Sequence, residues 1–219
     1  MLERAGCKNT EAMNADFLTT DPQDPRFSKV THILLDPSCS GSGIINRLDY
    51  LLEPEEETDD SQEERLIKLS AFQLMMIRHA MKFPSVQKIV YSTCSIHATE
   101  NENVVQQALS SAEAQTGPFT LASPHEVLPT WRRRGLPEML ANPADAAALV
   151  RCSPGEDATN GFFVSCFVRC DNSGGPGAPE HKNVQETPMK RKNPEGDGDN
   201  ASKEPGNKRK KRKKKSGNE

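Results

Sequence analysis

Apolar residues come in separate runs along the first 170 positions of this 219-residue chain, and their spacing changes from run to run. In "KVTHILLD" (29–36) they are nearly continuous, the pattern of a strand buried on both faces of a sheet. "RLIKLSAFQLMMIRHAMK" (65–82) instead spaces Leu66, Leu69, Phe72, Ile77, Ala80 and Met81 at helical intervals, and Pro84 closes that helix. Met75, Met76 and Met81 read as filling for its core face. "QKIVYST" (87–93) predicts a further strand. "ATENENVVQQALSSAEA" (98–114) predicts a helix, with Thr99 or Ser95 as N-cap and acids in its first turn. "EAMNADFL" (11–18) reads as a weak strand ending near Asp16. The order strand, strand, helix, strand, helix calls for an α/β layer with a parallel sheet.

The pattern changes after that. Residues 123–147 are rich in Pro, Arg and Ala and read as an irregular insertion. "AALVRC" and "GFFVSCFVRC" are joined by "SPGEDATN" and predict an antiparallel hairpin over 148–170. Beyond residue 170 apolar residues nearly vanish, so 171–219 is expected to be a disordered tail that cannot offset its chain entropy by burial. The domain reading is thus 1–170 folded and 171–219 tail.

Charge sharpens this division. The net charge is −3, but residues 171–219 carry 13 basic and 8 acidic residues. The tail ends in "KRKKRKKK" (208–215), a nuclear or nucleolar address, a phosphate-binding arm, or a solubilising tail. The body's acidic excess sits in "EPEEETDDSQEE" (53–64), read as a solvated loop that would repel RNA. The start of the chain lacks the apolar core of a secretory signal, and no run approaches the ~18 apolar residues of a membrane span. An intracellular chain with no membrane partner and reduced cysteines is expected. The spacing of the six cysteines suits neither a disulfide frame nor a zinc site, and Cys152, Cys166 and Cys170 read as small buried apolar residues.

Candidate chemistry lies where two strands end. "ILLDPSCSGSG" (33–43) places Asp36 and Cys39 after one strand, and "IVYSTCS" (89–95) places Cys94 after another. Ligands of open α/β sheets bind at this carboxyl edge. A nucleotide P-loop is excluded because Gly43 is followed by Ile44. A phosphatase loop is excluded because no arginine stands six residues after either cysteine. "WRRRG" (131–135) could stack on RNA, or could be a loop with a partly packed tryptophan.

"DPSCSGSG" and "YSTCS", with their cysteines 55 positions apart, resemble the paired signatures of the Nop/Sun family of RNA (cytosine-5) methyltransferases. The "DPSCSGSG" form resembles the branch acting on large-subunit ribosomal RNA, and "NGFFVSCFVR" (160–169) resembles the family's C-terminal strands. The resemblance implies a Rossmann-like methyltransferase fold using S-adenosylmethionine, with RNA as partner and the nucleolus as location. It implies Cys94 as nucleophile and Cys39 as the cysteine assisting proton removal and product release. It implies Asp36 at the cofactor or the cytosine edge, against a plain turn residue before Pro37. It implies Asp16 near the cofactor adenine, against a plain loop acid. It also implies that strands carrying part of the cofactor site lie upstream of the sequence given. A cytosine-5 methyltransferase and an inactive remnant binding RNA or protein in the nucleolus are therefore the two readings.

Overall fold

The computed structural model describes residues 4–44 and 59–170. The tail expected beyond residue 170, its basic run and the first part of the acidic segment lie outside the described residues.

Five strands form one mixed sheet: β1 (His32–Leu35), β2 (Lys88–Thr93), β3 (Phe119–Leu121), β4 (Val150–Cys152) and β5 (Phe162–Arg169). β1 and β2 run parallel, with Leu35 opposite Tyr91. β5 is antiparallel to β2 on one side, and to β4 and then β3 along its other side. The β4–β5 hairpin expected from the sequence is present.

The connection from β1 to β2 carries the long helix α1 (Asp59–Met81). It begins six residues before the apolar spacing predicts, inside the segment expected to be an acidic loop. Acids near a helix N-terminus face the positive end of its dipole, so the run that looked like loop suits a helix start. Gln73, Ile77, Ala80 and Met81 are buried, whereas Met76 is half-buried and Met75 is 50% exposed. The expectation of three core methionines therefore holds only for Met81 in full.

Residues 98–114 do not form one helix. A turn precedes α2 (Glu102–Leu109), and α3 (Ala112–Thr116) follows separately. Ser111 breaks the run: its hydroxyl donates back to Ala108 O and accepts from Ala114 N, capping a new helix. Asn101 is the N-cap of α2, in place of Thr99 or Ser95.

Two further expectations fail at the N-terminal end. Residues 11–18 form no strand; Phe17–Thr19 is instead a single 3-10 turn. The strand β1 is not buried on both faces. Leu35 is buried, but Leu34 is 72% exposed because no helix or loop covers that face among the described residues.

Period-2 alternation divides the core between the two sheet faces. Ile89, Tyr91, Phe163 and Phe167 pack under α1 and α2. Val90, Val164, Cys166 and Val168 pack on the opposite face with Ala122, Val127, Val150 and Trp131. Cys166 thus fits the buried reading, whereas Cys152 is half-buried and Cys170 is exposed. Trp131 donates its indole N–H to Arg151 O at 2.7 Å. Arg133 pairs with Asp157 and Glu156, and Arg134 donates to Val127 O and Leu128 O. "WRRRG" is thereby a packed structural segment, and of its charged residues only Arg132 is left exposed.

Candidate active site

The carboxyl ends of β1 and β2 bring the two signature cysteines together. Cys39 Sγ and Cys94 Sγ lie 3.1 Å apart, and both residues are half-buried. Strand β1 ends at Leu35, and the chain then turns through Pro37 into a loop of small residues. Gly41 takes a positive φ of 71° there, a conformation that costs a residue with a side chain strain. The loop is held against the end of β2, where Gly43 N–H donates to Cys94 O at 2.9 Å. Gly161 N–H at the start of β5 donates to Gly43 O at 2.7 Å. A Cβ on Gly43 would overlap the Gly161 backbone, so this close crossing demands glycine.

Beneath the cysteines lies a polar network that the sequence did not reveal. Glu100 is fully buried and accepts three hydrogen bonds, from Ser40 N at 2.9 Å, Ser40 Oγ at 2.6 Å and Gln73 Nε2 at 2.9 Å. Gln73, fully buried on α1, also donates to Ser38 O at 3.0 Å. The Tyr91 hydroxyl lies 3.0 Å from Gln73 Oε1 and 2.5 Å from Glu100 O. Burial, then the negative field of Glu100 and Cys39, holds this phenol well above its ordinary pKa, so it stays a donor. On the Cys94 side, Thr93 Oγ1 donates to Asn101 Oδ1 at 2.6 Å and Asn101 Nδ2 donates to Ser95 O at 2.9 Å. Arg151 grips fully buried Glu102 through two 2.6 Å bonds and donates a third to Ile96 O. Both loops carrying sulfur are therefore anchored by buried groups.

The sequence offered one faint signal for this network, the acids of "TENEN" directly after the second signature. In the sequence they read only as acids in the first turn of a helix. Burial against α1 and β4 is a long-range property that local spacing does not carry.

Asp36 stands at the edge of the cluster. Its Oδ1 accepts from Ser92 Oγ at 2.9 Å, which ties the acid of β1 to β2. Asp16 is placed apart from the cysteines. It caps the 3-10 turn by accepting from Leu18 N, and that turn packs Phe17 on His79 and Phe83 near the C-terminal end of α1. Burial and then the charge of Lys82 lower the His79 pKa, keeping its ring neutral against these aromatics.

Electrostatics act on Cys94 in particular. Burial first, then the hydrogen bond and charge shared with Cys39, push Cys94 up to about 11, and the Asp36 charge adds to this. Two sulfurs in contact hold their last proton tightly, because a second negative charge beside the first is costly. Such a pair can supply a sulfur nucleophile and a proton-handling partner at one point. Among the described residues, no group of three or more His, Cys, Asp or Glu side chains could hold a metal ion.

Comparison with known proteins gives this cluster its context. Residues 1–168 match the family model described as 16S rRNA methyltransferase RsmB/F. The chain belongs to this family, the Nop/Sun methyltransferases. It is 45% identical over 166 residues to the 25S rRNA (cytosine-C(5))-methyltransferase rcm1 of Schizosaccharomyces pombe, covering 75% of this chain and 35% of that protein. It is 46% identical over 171 residues to the 28S rRNA (cytosine-C(5))-methyltransferase of Mus musculus, covering 78% of this chain and 34% of that one. The chain thus spans about a third of the length of these relatives. A methyltransferase homologue from Pyrococcus horikoshii superposes with a TM-score of 0.54 at 23% identity, over 77% of this chain and 48% of that one. NSun6 from the same organism, crystallised with SFG, gives 0.50 at 23% identity, over 77% and 36%. At this identity the structural likeness establishes the fold alone, a Rossmann-like methyltransferase fold.

Proposed function

We propose that this chain carries the reacting half of a ribosomal RNA cytosine-5 methyltransferase. The observation supporting it is the 3.1 Å approach of Cys39 and Cys94 at adjacent strand ends beside Asp36. Cytosine C5 is a weak nucleophile. Addition of the Cys94 sulfur to C6 raises electron density at C5, so one hard step becomes two easier ones. Cys94 adds as its thiolate, its proton having passed to solvent. Cys39, in sulfur contact, then assists removal of the C5 proton, and the electron pair of that C–H bond restores the C5–C6 double bond and expels the Cys94 thiolate. Asp36, held by Ser92, stabilises the protonated ring at N3 or faces the cofactor. The target base must leave its stack to enter between the two loops.

The cofactor implied is S-adenosylmethionine, which supplies an electrophilic methyl group to C5 when bound. An oriented carboxylate beside two thiols suits the sulfonium end of that molecule, so Asp36 and the Cys39 loop fit it. Asp16 is the candidate for the adenine end, and its place on the 3-10 turn leaves it outside the cysteine cluster. The terminal run 208–215 is proposed as a nucleolar address and RNA-phosphate arm.

Covalent trapping tests the division of roles. With S-adenosylmethionine and large-subunit rRNA, Cys39→Ala is expected to leave protein bound to RNA through a denaturing gel, and Cys94→Ala to give neither adduct nor methyl transfer. An active parent whose Cys39→Ala variant forms no adduct overturns the assignment. Calorimetric titration of S-adenosylmethionine, with the full-length mouse relative as control, separates this reading from a non-enzymatic remnant. Binding by the control alone supports the remnant. Deleting 208–215 is expected to weaken RNA binding most at low salt and to flatten the log K–log salt slope by about 0.7 for each phosphate the arm no longer neutralises. An unchanged slope would count against the phosphate-arm role.

A further inference from the structure

The geometry of the cysteine pair points to a second chemistry, which needs no RNA. We propose that Cys39 and Cys94 are a reversible oxidation site, closed by a peroxide-class oxidant into an intramolecular disulfide that disables the centre. The two sulfurs already lie 3.1 Å apart, and a disulfide bond is about 2.05 Å long, so an approach of roughly 1 Å completes it.

The surroundings hold the pair in register. Gly43 N–H is bonded to the Cys94 carbonyl, Ser40 N–H to Glu100 and Gln73 Nε2 to Ser38 O. Ile96 N–H donates to Ser42 Oγ at 3.1 Å, closing the far side. With both strand ends fixed, a disulfide here restricts little that is not already restricted. Both cysteines are half-buried, so a molecule as small as hydrogen peroxide has access. Cys7 and Cys170 are more exposed, and Cys166 is buried. Among the described residues, Cys39–Cys94 is the one cysteine pair in sulfur–sulfur hydrogen-bond contact.

The step balances. One thiolate of the pair attacks a peroxide oxygen, the O–O bond breaks, and the departing hydroxide takes up a proton as water, leaving a sulfenic acid. The second sulfur attacks that sulfur, the S–O bond breaks, and hydroxide leaves with the second thiol proton as water. Two thiols lose two electrons and two protons, and one hydrogen peroxide becomes two waters. A dithiol reductant reverses the bond by exchange. Loss of methyl transfer on closure rests on the function proposed above, whereas formation of the bond does not.

Peroxide treatment of the purified chain, followed by alkylation and peptide mass mapping, tests this directly. The expected product is a peptide pair joining Cys39 to Cys94, lighter by two hydrogens, reopened by dithiothreitol. In Cys39→Ser the same dose is expected to carry Cys94 on to sulfinic acid, because no partner sulfur intercepts the sulfenic acid. Far-ultraviolet circular dichroism confirms that the variant is folded. Both thiols remaining alkylatable in the parent chain, or Cys94 over-oxidising equally in parent and variant, would overturn the proposal. The readout is a mass and not an activity, so failure of the methyltransferase reading leaves it intact.

Discussion

Glu100 is the residue on which most of the local geometry converges. Removing a buried acceptor shared by Ser40 and Gln73 takes away three hydrogen bonds at once. Glu100→Ala is expected to cost about 2–4 kcal/mol in urea unfolding, and Glu100→Gln distinctly less. Equal losses for the two would show that the bonds to Ser40 and Gln73 do not matter to stability. Cys94 makes a prediction about pH. Its folded pKa, about 11, lies above the ordinary thiol value of 9.0. The unfolded chain therefore loses that proton first as pH rises. The stabilisation is complete below about pH 9 and drains away between 9 and 11. Burial pushes Cys152 and Cys166 the same way. Cys94→Ser is thus expected to flatten, without abolishing, the fall of thermal stability across that window. An identical fall in the variant would remove Cys94 from the account.

Helix α1 shows the same physics at the scale of an element. Its apolar spacing located one helix, and its faces decide what each apolar residue contributes. Ile77 is fully buried and Met75 is half out in solvent two positions away. Ile77→Ala is expected to destabilise by about 2–5 kcal/mol and Met75→Ala by about 0.5 kcal/mol or less. Comparable midpoints for the two in chemical denaturation would contradict the packing described. The helix could be read because helical periodicity is a local signal, while its start was misplaced because an acidic run suits both a solvated loop and a helix N-terminus. The break at Ser111 and the three-residue strand β3 are not legible in the sequence for a related reason. A serine cap uses a residue common in loops, and a strand this short has too few positions to show alternation.

For the molecule as a whole, the open side of the sheet is the feature with consequences. β1 pairs with β2 on one side, and among the described residues nothing pairs with its other side. Leu34 is 72% exposed on this strand. An apolar cleft of about 350 Å³ adjoins it, lined among others by Met13, Phe17, Phe27, Ile33 and Phe83. Unpaired edges with exposed apolar residues promote association. Leu34→Lys is expected to lower concentration-dependent light scattering while leaving the unfolding midpoint almost unchanged. Undiminished scattering would place the association surface elsewhere.

The sequence by itself determined the mixed α/β class, the C-terminal hairpin and the family. Each is written in short-range patterns: runs of apolar residues, helical spacing, and two signatures of small residues around a cysteine. Only the tertiary structure decided that Glu100, Glu102 and Gln73 are interior and that Trp131 is packed against the sheet. It also decided that one face of β1 is open and that Asp16 lies away from the cysteines. Burial depends on which distant segments arrive at a residue, and a polar side chain looks the same in the sequence whether it meets water or a buried partner. The 3.1 Å between Cys39 and Cys94 belongs to both levels. The signatures placed each sulfur at a strand end, and the parallel pairing of β1 with β2 put those two ends side by side.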